Sequence, residues 1–198
     1  MSRAVSLLLS GALIFAAADL AAQGQDVALP GVGADAPLFA LPIYNPEAAG
    51  RSRAGTMLLV GEDSDDKDAK LIVVSFMASH CKPCLKELPL LQKLHAKYHE
   101  RGLRIIGVSI DSEPEGQKRM SELIAEHKVT FPVARDQYNF TARRYLGTTV
   151  PLPSVFFLDR SGAITFVSRG YDKEISKTLV ATLERQLGSP PAGTEAKK

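Results

Sequence analysis

The chain holds two cysteines, Cys81 and Cys84, with Lys82 and Pro83 between them. Two sulfurs at this spacing can cycle as a dithiol and disulfide, staple the fold, or contribute to a metal site. A staple across three residues closes a tiny loop and removes little entropy from the unfolded chain. Zinc needs four ligands and there is no second cysteine pair, while covalent haem attachment needs a His where Leu85 stands. Redox exchange is favoured over a structural disulfide or a metal site, and no metal ligand set is assigned.

The pair lies between an apolar run and an amphipathic stretch, so it falls at a helix start. Unpaired N–H groups and the positive dipole end there favour a thiolate over a thiol. Cys81, at the exposed start, is the expected low-pKa nucleophile. Cys84, one turn on and on the same face, is the expected resolving thiol. Pro83 suits a first turn, where its missing N–H would have no intrahelical partner. Lys82 inside the pair favours the Cys81 thiolate, and a charged His80 would do the same and make the pair more oxidising.

The elements that must hold this turn follow from periodicity. Residues 71–76 (Leu-Ile-Val-Val-Ser-Phe) are almost continuously apolar, as in a strand covered on both faces of a largely parallel sheet. Leu85, Leu88, Leu91, Leu94 and Tyr98 form a helical stripe ending at Gly102, and residues 104–110 read as a second buried strand. A helical pattern spans 114–128, and a short helix is expected over 139–145. Residues 154–158 and 163–168 read as a hairpin, followed by a helix over 175–187 with Ile175, Leu179, Leu183 and Leu187 on one face. Residues 37–42 read as a short edge strand and 43–55 as loop. Strand, helix, strand, helix is the βαβ order of an α/β fold.

With 198 residues, 45% of them hydrophobic, the chain is long and apolar enough for one packed domain. Net charge is +2 without a basic block, so no nucleic-acid partner is expected. Arg3, the apolar run 4–18 and the small residues after it match a secretory signal over 1–22, with an uncleaved membrane anchor as the alternative. Export to the periplasm or cell envelope follows. A connector (23–36), the folded domain (37–187) and a disordered polar tail (188–198) complete the organisation. The acidic run 62–68 lacks the Gly and distal Glu of a calcium loop, and reads as an exposed turn. His95 and His99 are four apart but have no third ligand nearby.

Several motifs together resemble the TlpA/ResA-like branch of thioredoxin-fold proteins. They are Phe76-Met77-Ala78-Ser79 before the pair, Leu85-Lys86-Glu87-Leu88-Pro89 after Cys84, and Val150-Pro151-Leu152-Pro153-Ser154-Val155-Phe156-Phe157-Leu158-Asp159 near the other end. The resemblance runs from about residue 32 to 187. It implies a thioredoxin-like α/β fold, a central mixed sheet flanked by helices. It also implies an exported thiol-disulfide oxidoreductase whose only redox group is the Cys81–Cys84 disulfide, with no further cofactor. Its expected partners are protein dithiols or disulfides, such as apocytochromes before haem attachment, and a membrane thiol-disulfide electron donor.

By the same resemblance Glu87 takes the proton of Cys84 as that thiol resolves a mixed disulfide, which a raised pKa would permit. A surface helix Glu is the rival reading, because Lys86 and Lys93 give the helix a wet face. Pro89 is expected to kink the helix. Pro153 is expected to be cis, leaving the Leu152 backbone to pair with a substrate strand. Two departures stand out. His80 and Met77 replace tryptophans common in the family, and Ser75 occupies the place of the buried Asp of cytosolic thioredoxins. An oxidase or isomerase, a thiol peroxidase and a non-catalytic binding module are the alternatives. A peroxidase needs a Thr or Ser three residues before its reactive Cys and a Pro just ahead of that, which Ala78 and Phe76-Met77 do not supply.

Overall fold

A computed structural model describes residues 29–61, 64 and 66–188. The expected signal or anchor over 1–22 and the tail beyond Gly188 lie outside the described residues. Among those described, no helix is long and apolar enough to cross a membrane.

The two apolar runs flanking the Cys-bearing helix form strands, and the structure builds outward from them. In chain order the elements are β1 (Leu41–Pro42), α1 (Pro46–Ala49), β2 (Arg53–Ala54), β3 (Leu71–Met77), α2 (Lys82–Tyr98) and β4 (Leu103–Ser109). They continue with α3 (Pro114–Glu126), β5 (Val133–Arg135), α4 (Phe140–Leu146), β6 (Ser154–Asp159), β7 (Ile164–Arg169) and α5 (Lys173–Leu187). The main sheet runs β5-β4-β3-β6-β7. β3, β4 and β5 are parallel, while β6 is antiparallel to β3 and β7 antiparallel to β6. This is the expected mixed sheet of a thioredoxin-like fold.

Strand alternation divides the core in two. Leu71, Val73 and Met77 of β3 pack with the buried residues of α2, α3 and α5, whereas Ile72, Val74 and Phe76 pack with α4 and the N-terminal segment. On the second face Tyr145 is fully buried among Phe39, Phe76 and Phe156, and its hydroxyl donates to the Pro37 carbonyl at 2.9 Å.

Three sequence expectations change. Residues 43–55 are not simply loop: α1 and β2 lie there, and β2 pairs with β1. The hairpin doubles back because Gly55 lies against Phe39, where a Cβ would fall 1.9 Å from the carbonyl oxygen. The three-residue β5 is additional. Residues 33–36, assigned to the connector, hydrogen-bond along 162–164 and extend the hairpin. The hairpin turn itself is organised by Asp159 Oδ1, which accepts from the backbone of Ser161, Gly162 and Ala163.

Candidate functional site

The parallel order puts the C-terminal ends of β3 and β4 at one end of the sheet. The start of β6 joins them there, since Phe76 faces Ser154 in register. The β3–α2 turn with Cys81, the chain leaving β4, and Pro153 therefore share that end, where open α/β sheets hold their ligands.

Cys81 and Cys84 form a disulfide with Cα atoms 5.2 Å apart. Cys81 is the N-cap of α2, and its sulfur accepts from the Cys84 backbone N–H at 3.2 Å. A thiolate at this atom would keep that donor and the helix dipole. The first turn of α2 carries no acidic residue to oppose it, and Lys82 and Pro83 occupy its opening positions, both exposed.

Cys81 is less open than the sequence implied. Only 8% of it is accessible, against 2% for Cys84. Its side chain turns back into the cap to meet Cys84, leaving the surface around the pair to His80, Lys82 and Pro83. The His80 ring stands out, and its Nδ1 lies 3.8 Å from Asp111 Oδ1.

Glu87 decides between its two readings by where it falls on α2. The buried stripe is Cys84, Glu87, Leu88, Leu91, Leu94 and Tyr98, with Leu85 only partly buried and Lys86 on the wet side. Glu87 is thus fully buried, one turn beyond Cys84. By strand alternation Ser75 faces the same helix, and its hydroxyl donates to Glu87 Oε2 at 2.8 Å. Oε1 is buried with no hydrogen-bond partner. Burial pushes the carboxyl pKa from 4.5 up to about 7, with the Ser75 hydrogen bond pulling the other way. α2 runs continuously through Pro89.

The Leu152–Pro153 peptide bond is cis. Pro153 is buried and its carbonyl accepts from Gly170 N at 2.8 Å, while Leu152 is half-buried. The structure therefore gathers Cys81, Cys84, Glu87, His80, Lys82, Pro83, Leu152 and Pro153 around one end of the sheet. Sequence reasoning missed Asp111 and Tyr171. Asp111 is buried at the end of β4 and bonded to the turn before Cys81. Nothing local in the sequence distinguishes it from Glu113 and Glu115, which follow it. Tyr171, after β7, has its phenol pKa raised by burial and then by the nearby Glu87 carboxylate. His95 of α2 and His99, which caps its C-terminus, have ring centroids 4.7 Å apart, well down the helix from the cysteines.

Comparison with known proteins agrees with this arrangement. Over 106 residues the chain is 32% identical to the thiol-disulfide oxidoreductase ResA of Oceanobacillus iheyensis, covering 53% of this chain and 52% of that one. Over 114 residues it is 29% identical to the thioredoxin-like protein YneN of Bacillus subtilis, covering 57% and 65%. The chain thus spans about half the length of the first of these relatives. Among solved structures it is similar in fold to a thiol:disulfide interchange protein from Chlorobium tepidum, with a TM-score of 0.61 at 18% identity, covering 80% of this chain and 99% of that one. StoA from Bacillus subtilis is similar with a TM-score of 0.56 at 22% identity, covering 78% and 100%. The AhpC/TSA family profile matches residues 32–167. By that match the chain belongs to the AhpC/TSA family, in a thioredoxin-like fold whose curated relatives include the ResA proteins expected from its motifs.

Proposed function

We propose that the chain is a thiol-disulfide oxidoreductase of the periplasm or cell envelope that reduces disulfides of envelope proteins, in the manner of cytochrome c maturation. The observation that carries the reading is the Cys81–Cys84 disulfide at the N-cap of α2, with the buried Glu87 carboxyl one turn below it. Relatives named thiol-disulfide oxidoreductase support it. The N-terminal segment serves as signal or membrane anchor.

A membrane thiol-disulfide donor first returns the pair to the dithiol. The Cys81 thiolate then attacks one sulfur of a partner disulfide, forming a mixed disulfide and releasing the partner's other sulfur as a thiolate. Cys84 passes its proton to the Glu87 carboxylate and attacks the Cys81 sulfur. This re-forms the Cys81–Cys84 bond and frees the partner's second thiolate. A carboxyl titrating near 7 is available in both forms at neutral pH, as a base for that proton must be. Leu152, beside the cis Pro153, offers its backbone to an extended partner segment. His80, Lys82 and Pro83 set the poise of the pair.

Trapping tests the reading. In Cys84→Ser the mixed disulfide on Cys81 has no resolving thiol, so a partner protein should accumulate covalently bound and be released by dithiothreitol. A Cys84→Ser protein that traps nothing, together with a wild-type disulfide inert to dithiothreitol, would leave only a binding module.

A further inference from the structure

The register that pairs Met77 with Ser109 carries on past the strands and sets Ser79 against Asp111. Ser79 is where the chain leaves the sheet, two residues before Cys81. Its backbone N–H, beyond the last ladder bond of β3, donates to both oxygens of Asp111, at 3.1 and 3.0 Å. The Ser79 hydroxyl donates to Oδ1 at 2.8 Å, and the Ser109 hydroxyl to Oδ2 at 2.8 Å. Asp111 is 5% exposed, so this carboxylate is satisfied by the turn rather than by bulk water.

The clamp is closed on every side. From α3, Gly116 comes so close that a Cβ there would lie 2.8 Å from Oδ1. From the turn itself, His80 Nδ1 faces Oδ1 at 3.8 Å. From the N-terminal segment, the Tyr44 hydroxyl reaches Ser109 Oγ at 3.4 Å, and Arg135 of β5 lies over the Tyr44 ring. Asp111 thus ties the Cys-bearing turn to the end of β4 and packs against α3.

We propose that Asp111 is a positioning residue for the Cys81–Cys84 pair: by bonding Ser79 it holds the turn in the shape that brings the two sulfurs together, and so favours the disulfide. The inference rests on the redox reading above. A loosened turn lowers the effective concentration of one thiol at the other and shifts the pair toward the dithiol. Neither sulfur needs to touch the carboxylate for this to operate.

The test uses the full chain with Asp111→Asn, which removes the charge and an acceptor, and Asp111→Glu, which keeps the charge but pushes the oxygens toward Gly116. The equilibrium with dithiothreitol is read by alkylation and mass, and the pH profile of Cys81 alkylation by iodoacetamide is recorded for each reduced protein. Both variants are expected to favour the dithiol by about tenfold, equivalent to about 30 mV, and to displace the alkylation profile. Wild-type values in both folded variants would overturn the proposal. So would a shift in Asp111→Asn alone, because charge and not position would then be at work. If neither variant folds, Ser79→Ala removes one bond of the clamp and must shift the equilibrium the same way, and its failure to do so overturns the proposal. A wild-type protein that never exchanges with a partner disulfide would refute the functional reading while leaving these equilibria to judge Asp111.

Discussion

Ser75 of β3 donates a hydrogen bond to Glu87 of α2, and the two meet one helical turn below Cys84. The strand supplies the hydroxyl and the helix the carboxyl, so the buried acid of this chain stands on the helix, facing the strand. With Oε2 held and Oε1 unmatched, the neutral acid is favoured until the pH approaches 7.

Glu87→Gln removes the carboxyl that the proposed function uses as proton acceptor. Resolution of a Cys81 mixed disulfide is expected to slow by about 100-fold, measured by stopped-flow release of a chromogenic thiol at pH 7.

The same substitution changes how stability depends on pH. A carboxyl whose folded pKa is raised from 4.5 to about 7 contributes stability that is fully present below 4.5 and lost as pH rises through 7. Urea melts at pH 4 and pH 8 should show wild type losing about 3 kcal/mol relative to Glu87→Gln across that interval. Parallel curves would contradict it.

Ser75→Ala deletes the one hydrogen bond that lowers the Glu87 pKa. The pH midpoint of mixed-disulfide resolution should move upward, with the rate at high pH close to that of wild type. A midpoint that stays put would mean the hydroxyl does not hold the carboxyl in solution.

His95 acts at the acid side. Burial first, then His99 and Arg104, push its pKa from 6.5 down to about 4, so the stability tied to its neutral form is present above 6.5 and lost as pH falls through 4. His95→Gln should flatten the thermal stability curve across that window by about 1–2 kcal/mol after discounting for partial exposure.

Gly55→Ala places a Cβ 1.9 Å from the Phe39 carbonyl oxygen, and backbone cannot yield as a side-chain end does. We expect a loss of about 1–3 kcal/mol by denaturant titration, with faster amide exchange over 39–41 and unchanged reactivity at Cys81.

Long periodic segments were legible in the sequence. β3, α2, β4, α3, the β6–β7 hairpin and α5 all fall where a continuous apolar run or a helical stripe put them, because the central strands are covered on both faces and each helix buries one stripe. α1, β2 and β5 were not, since two to four residues are too few to show a period. At the site, the cysteine pair was legible from spacing alone. Glu87 stood on the stripe that runs through Leu88 and Leu91, so its burial was readable once Cys84 replaced Leu85 at the head of that stripe. Asp111 was hidden because its role depends on register across a strand pair, and that is a tertiary relation with no local pattern.

The recess of the two sulfurs has a consequence for traffic through the site. In the disulfide form Cys81 shows 8% of its surface, behind the exposed His80, Lys82 and Pro83. Displacement at sulfur also needs the attacking and leaving atoms nearly in line. Under the proposed function, a partner disulfide would have to reach past His80, Lys82 and Pro83 to come into line with that sulfur.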